Sequence, residues 1–195
     1  MIELFALLAA TYACGPLVKY ESGGDYLAPG DRENLAAVET FHFTQPVESL
    51  SHGINGTLGA DLSYTLDRFP NHARALAAMA RLALREKTAQ PRDAKYTLEC
   101  YFERALRMRQ DDAAIHTVYG GYLLATNHAE RAFDQFARAV EIDPASASAH
   151  YNLGLIYLQR RDFEQARTHA RRAYELGLPM PGLKNKLIEA RQWEP

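Results

Sequence analysis

Small and apolar residues recur at helical spacing through most of this chain, and from residue 120 onward they recur in one fixed arrangement. Gly120 is followed by Ala132, Phe136, Ala139 and Pro144. Thirty-four residues on, Gly154 is followed by Ala166, Ala170 and Ala173, with Pro179 one position late. His116 and His150 keep the same offset. The pattern predicts successive helical units that pack closely at small residues. In each, a glycine marks where the first helix meets its partner, and Ala132 or Ala166 is the reciprocal small residue on the second. Tyr119, Leu123, Leu153 and Tyr157 fill the space around them, Phe136 is expected against the next unit's first helix, and Ala170 leaves less bulk there. A larger side chain at the glycines would push the helices apart.

The same frame extends upstream with a slip. Ala80 stands for the glycine in a helix predicted over 73–87, and Leu98, Phe102 and Ala105 follow six residues later than the frame requires. The extra residues fall in 88–95, where Pro91 cannot continue a helix interior, so they form a loop between paired helices. Leu98 replaces the expected alanine, so packing there differs. Leu58, Leu62, Thr65 and Pro70 keep the spacing of the second helix of a degenerate leading unit. The units therefore span about 73–112, 113–146 and 147–180, within a repeat region of 57–195. Asp111-Asp112, Ser146 and Ser148 supply helix starts, and Gly177 a stop. Residues 181–193 form one more amphipathic helix, with Leu183, Leu187, Ile188 and Trp193 as its apolar positions, closing the last stacking face.

Before the repeats, residues 14–56 are partly irregular. Gly23, Gly24, Pro29 and Gly30 mark turns, a helix is expected from Glu33 through Ser51 with an interruption near Pro46, and His52-Gly53 and Asn55-Gly56 form a turn. Residues 1–13, MIELFALLAATYA, read as the tail of a secretory signal peptide cleaved after Ala13; a frayed helix is the alternative. Neither Lys nor Arg precedes the apolar run, and Glu3 is acidic. The chain has two cysteines, Cys14 and Cys100. In an oxidising compartment they would pair across 86 residues; otherwise they are two separate thiols. Cys14 could instead carry a lipid, which is the one route to membrane association here, although Thr11 and Tyr12 depart from the usual pattern.

The period of 34, with its order of glycine, alanine, aromatic or small residue, alanine and proline, resembles the tetratricopeptide repeat. That resemblance, to an exported bacterial member in view of the leader, implies an all-α fold, a right-handed α-solenoid of antiparallel helix pairs with a degenerate leading unit and a capping helix. It also implies a binding function, with the first helices lining a concave groove. By their offsets, the groove positions are Arg74, Ala77, Arg81, Leu84 and Arg85; then Thr117, Gly121 and Leu124; then Tyr151, Asn152, Leu155, Leu158 and Gln159; and Asn185 from the cap. One end is basic, suited to carboxylates. The other is apolar, with an asparagine amide able to pair with a peptide bond. Asn152 sits where many family members place a peptide-binding asparagine, but Val118 and Ala78 stand at the matching positions. The chaperone-tail clamp known in the family is thus not reproduced.

Of the 195 residues, 47% are hydrophobic and 24% charged, and the net charge is −2. These values fit one globular domain and give no reason to expect nucleic acid as a partner. No paired-cysteine or H-E-x-x-H spacing, nucleophile elbow or Gly-rich phosphate loop is present, so neither an enzyme nor a cofactor or metal site is expected. The expectation is an adaptor for a peptide or protein segment, extracytoplasmic in a bacterium and supporting an envelope or secretion assembly. The alternatives are a self-associating structural subunit and a cytoplasmic adaptor.

Overall fold

The computed structural model describes residues 14–18 and 20–193, so the leader expected at 1–13 lies outside the described residues. Ten α-helices are described: α1 (Arg32–Phe41), α2 (Gln45–Glu48), α3 (Leu58–Arg68), α4 (Ala73–Glu86), α5 (Leu98–Met108), α6 (Ala113–Ala125), α7 (Ala129–Ile142), α8 (Ala147–Gln159), α9 (Phe163–Glu175) and α10 (Gly182–Glu189). No strand occurs among the described residues. The chain divides into two compact units, one ending at Asp111 and one beginning at Asp112.

In the first unit α4 packs against α3 and, less extensively, α5. Leu62, Leu66, Phe69, Leu76, Met79, Leu82, Leu98 and Phe102 are buried there. The helix expected over 33–51 is two helices. The chain turns at 42–44, and Pro46 sits in the first turn of α2, where its missing N–H costs nothing. Thr57 caps α3, and the ring of His72 caps α4 through Nδ1, which accepts from Ala75 N–H at 3.2 Å.

The loop expected at 88–95 is folded down on α3. A Cβ on Gly59 would lie 2.0 Å from the carbonyl oxygen of Arg92, so glycine alone allows that approach. Lys95 reaches Asp67 at 2.7 Å.

The irregular start of this unit is held by arginines of α5. Arg104, buried, donates to the carbonyls of Cys14 (3.1 Å) and Pro16 (2.8 Å), and Arg107 to that of Gly15 (2.8 Å). Asp25 accepts from Arg109 at 3.0 Å and from Asn71 at 2.6 Å. The sulfurs of Cys14 and Cys100 are bonded in the structure, with their Cα atoms 5.0 Å apart.

In the second unit the pairs α6–α7 and α8–α9 each pack along their length, α7 lies against α8, and α10 closes on α8 and α9. Asp112 caps α6 and Asp162 caps α9, while Gly177 ends α9's turn at φ +85°. Ala132, Ala139, Ala166, Ala170 and Ala173 are fully buried, as the repeat of small residues predicts. Phe136 lies against Gly120 of its own pair: a Cβ there would come within 2.7 Å of the ring. Gly154 faces the capping helix, where a Cβ would meet Leu183 at 2.5 Å. Leu183 and Leu187, one turn apart on one face, are buried with Ala166 and Ala170, but Ile188 lies off that face and is 51% exposed.

Candidate functional site

The positions assigned to binding lie on first helices in both units, apart from Asn185 on α10. On α4, Arg74, Arg81 and Arg85 form one exposed row, and all three bond to residues 48–50. Nε of Arg74 donates to Glu48 at 2.9 Å, and its Nη1 reaches Glu39 at 3.3 Å. Arg81 donates to the carbonyl of Glu48 (2.8 Å) and Arg85 to that of Leu50 (2.7 Å). The hydrogen bond from Arg74 holds the Glu48 carboxyl below its ordinary range, and Glu48 in turn raises Arg74. The basic row is thus partly neutralised by the segment after α1. Its guanidinium groups steady α2 as well as facing solvent, a second task that offset counting alone does not reveal. Ala77 is half-buried beneath them and Leu84 is exposed.

On α6, the Thr117 hydroxyl donates back to the carbonyl of Ala113 at 2.8 Å, and Leu124 is half-buried. Nothing stands within 4 Å of a Cβ built on Gly121, so the helix surface there is bare backbone open to a ligand. On α8, Asn152 donates to the carbonyl of Ser148 at 2.9 Å, leaving its amide oxygen as acceptor. Tyr151, Leu155 and Leu158 pack against the cluster of Leu183 and Leu187, so the capping helix covers part of each. A Cβ on Gly182 would come within 2.8 Å of the Tyr151 hydroxyl. Gln159 and Asn185 are exposed. The second unit therefore brings Tyr151, Leu155 and Leu158 together under α10, and leaves Asn152, Gly121 and Gln159 with more open surroundings.

Histidines enter the same helices from the packing side. His116 Nδ1 lies 2.8 Å from Gln135 Oε1, and His150 Nδ1 lies 2.9 Å from His169 Nδ1. The equal offset of His116 and His150 signalled that placement; the partners on α7 and α9 did not stand out in the sequence. Burial pushes the His150 ring down, and burial with neighbouring His150 pushes His169 down to about 4. Among the described residues, one group of three metal-type ligands converges, Cys14, Cys100 and Glu103, and two of the three are bonded to each other.

The family model for the tetratricopeptide repeat matches residues 98–147 and 127–177. A peroxisomal targeting signal receptor of Candida albicans is 33% identical over 73 residues, which are 37% of this chain and 12% of that protein's length. The chain thus spans about an eighth of the curated relative it matches. Among solved structures, that of Pseudomonas aeruginosa pilF superposes with a TM-score of 0.58 at 20% identity, covering 83% of this chain and 69% of that one. MamA superposes with a TM-score of 0.49 at 15% identity, over 86% of this chain and 99% of that one. The likeness to pilF extends over both units and concerns the fold, an all-α arrangement of helix pairs of the α-solenoid class.

Proposed function

We propose, for a chain whose residues 98–177 are tetratricopeptide repeats, an adaptor that takes an extended segment of another protein on its first-helix faces, outside the cytoplasm, in support of an envelope or secretion assembly. Tetratricopeptide repeats are protein-interaction scaffolds, and catalysis is not part of this reading. The observation that carries the choice of face is the open backbone at Gly121, with a half-buried leucine, Leu124, one turn away on the same helix. A bare helix backbone lets a peptide main chain approach closely, and Asn152 offers the matching amide. The relative named a targeting-signal receptor favours recognition of a short segment.

Export is supported by the composition of residues 1–13 and by the pairing of Cys14 with Cys100, which an oxidising compartment maintains. That pairing engages the Cys14 sulfur and so argues against a lipid there. Self-association is the second reading, favoured by exposed Ile188 and Met180 near the capping helix.

The test is co-purification from the native cell, comparing wild type with Gly121→Tyr and Asn152→Ala. Gly121→Tyr starts its side chain from a Cβ that has nothing within 4 Å. A protein captured by wild type and lost with either folded variant supports the face. A protein retained by both overturns it, and recovery of this chain alone, with mass rising with concentration in light scattering, selects self-association.

A further inference from the structure

A cavity of about 480 Å³ opens on the second unit, bordered by Pro144, His150, Thr168, His169, Arg171 and Arg172. It shares no residue with the first-helix positions assigned to peptide binding. Glu175, also on its rim, pairs with Arg172 at 3.6 Å.

Hydrogen bonds fix where the protons of the two histidines sit. Nε2 of His150 lies 3.2 Å from the carbonyl oxygen of Pro144, which can only accept, so Nε2 carries a proton. In the neutral ring Nδ1 of His150 is then an acceptor. Nδ1 of His169, 2.9 Å away, must donate to it. Nε2 of His169 is left with a lone pair. A proton added there keeps the bond between the rings; a further proton on His150 would set N–H against N–H.

The preceding unit makes the equivalent contact with Gln135 in place of a second histidine, at 2.8 Å. Packing alone therefore does not require a titratable ring at 169. Two guanidinium groups and one carboxylate border the cavity, Arg171 also lying over the Trp193 ring at 5.9 Å, and a proton on His169 adds a positive charge. An oxyanion beside His169 meets a lone pair when the ring is neutral and a donor when it is protonated.

We propose that this cavity binds a phosphate oxyanion together with one proton, held by Arg171, Arg172 and protonated His169. Guanidinium and imidazolium groups are matched to phosphate oxygens in geometry and charge. In the empty cavity His169 is held neutral by burial and by His150. Arg172 and Asp143 act on His150 with opposite sign, and the Tyr157 ring stacks on His169 with centroids 5.4 Å apart. The bound anion supplies the charge that makes the extra proton favourable.

The test follows the imidazole resonances of the full chain through a pH titration with inorganic phosphate, against chloride at equal ionic strength. Phosphate is expected to raise the apparent pKa of His169 by about one unit or more, equivalent to at least about tenfold tighter binding to the protonated form. Phosphoserine is titrated in parallel: tighter binding than phosphate identifies an ester as the source, weaker binding the free ion. Arg171→Gln/Arg172→Gln removes the effect. His169→Gln, copying the preceding unit, keeps the fold and weakens phosphate increasingly as pH falls below about 5, by up to about tenfold, and Glu175→Gln strengthens it. An equal shift in chloride, a shift surviving in the folded arginine variant, or weaker phosphate binding by Glu175→Gln overturns the proposal.

Discussion

The hydroxyls of Ser63 and Tyr101 lie 2.6 Å apart, buried between α3 and α5 across 38 residues of sequence. The backbone N–H of Lys95 donates to both oxygens at 3.1 Å, so this pair also fastens the end of the inserted loop. Burial raises the Tyr101 pKa, consistent with a hydroxyl that stays protonated and bonded. Tyr101→Phe removes one member and leaves Ser63 and the Lys95 amide short of a partner. The expected loss is about 1–3 kcal/mol, read as a lower urea midpoint at unchanged slope. Ser63→Ala/Tyr101→Phe should cost less than the sum of its single changes. Strict additivity would show that the two hydroxyls act independently.

His72 sets the response of the first unit to acid. Its Nδ1 accepts from the α4 backbone and its Nε2 lies 3.1 Å from Glu39, so the folded ring is neutral. Burial and Arg74 push its pKa down to about 4 from 6.5. The unfolded chain therefore binds a proton that the folded chain refuses. The stability contribution is complete above about pH 6.5 and falls away as pH drops toward 4, at up to about 1.4 kcal/mol per pH unit. His169 adds a smaller loss in the same window, discounted because its ring is half exposed. Urea unfolding at pH 7, 5.5 and 4.5 measures the slope. His72→Asn can still cap α4 and should flatten it; an unchanged slope would mean other groups carry the acid response.

The repeat frame was legible because it is written in residue size. A glycine or alanine at 80, 120 and 154 and the buried alanines of the second helices admit close packing and little else, so their spacing reports helix pairs directly. Four features were not legible. The arginines at 74, 81 and 85 were read as a basic binding row, but their attachment to residues 48–50 depends on where a non-repeating segment folds, and no periodicity encodes that. For Phe136 only a place against the next unit's first helix was read; its contact with Gly120 of its own pair is a further one that an aromatic at that spacing can make. The inserted loop gave Pro91 as a signal for irregular chain, while its docking rests on the absence of a side chain at distant Gly59. The partners of the equivalent histidines were hidden because glutamine and histidine share no obvious class, although both stand 19 residues after the ring they meet.

Pairing of Cys14 with Cys100 spans 86 residues. In a chain-entropy account, a loop of that size restrains the unfolded state by on the order of 4 kcal/mol. Arg104 and Arg107 hold the neighbouring carbonyls independently of the sulfurs. Cys100→Ser should therefore lower stability by about 2–4 kcal/mol while residues 14–16 stay resistant to proteolysis in the folded state. Thiol alkylation of protein from the native cell, before and after reduction, supplies the direct count. Two alkylated thiols without reduction would mean that the bond does not form in the cell.

Glycines on the same two helices should respond to substitution with opposite signs. Gly121 has open space where its Cβ would be, and it sits inside a helix, where glycine is less favourable than alanine. Gly121→Ala should raise stability by about 0.5–1 kcal/mol. Gly154 is closed by Leu183 at 2.5 Å, with the Ala166 carbonyl at 3.4 Å behind it. The leucine end can give way to a methyl group but not to a branched side chain. Gly154→Leu should accordingly cost about 1–3 kcal/mol and loosen α10, so amide exchange should quicken at Leu183 and Leu187 before it quickens on α6. Equal stability changes at the two positions would contradict the packing of the capping helix on α8. A Gly121→Ala variant that gains stability and also loses its captured partner would join the fold argument to the binding face, since the one added methyl group meets nothing in the protein itself.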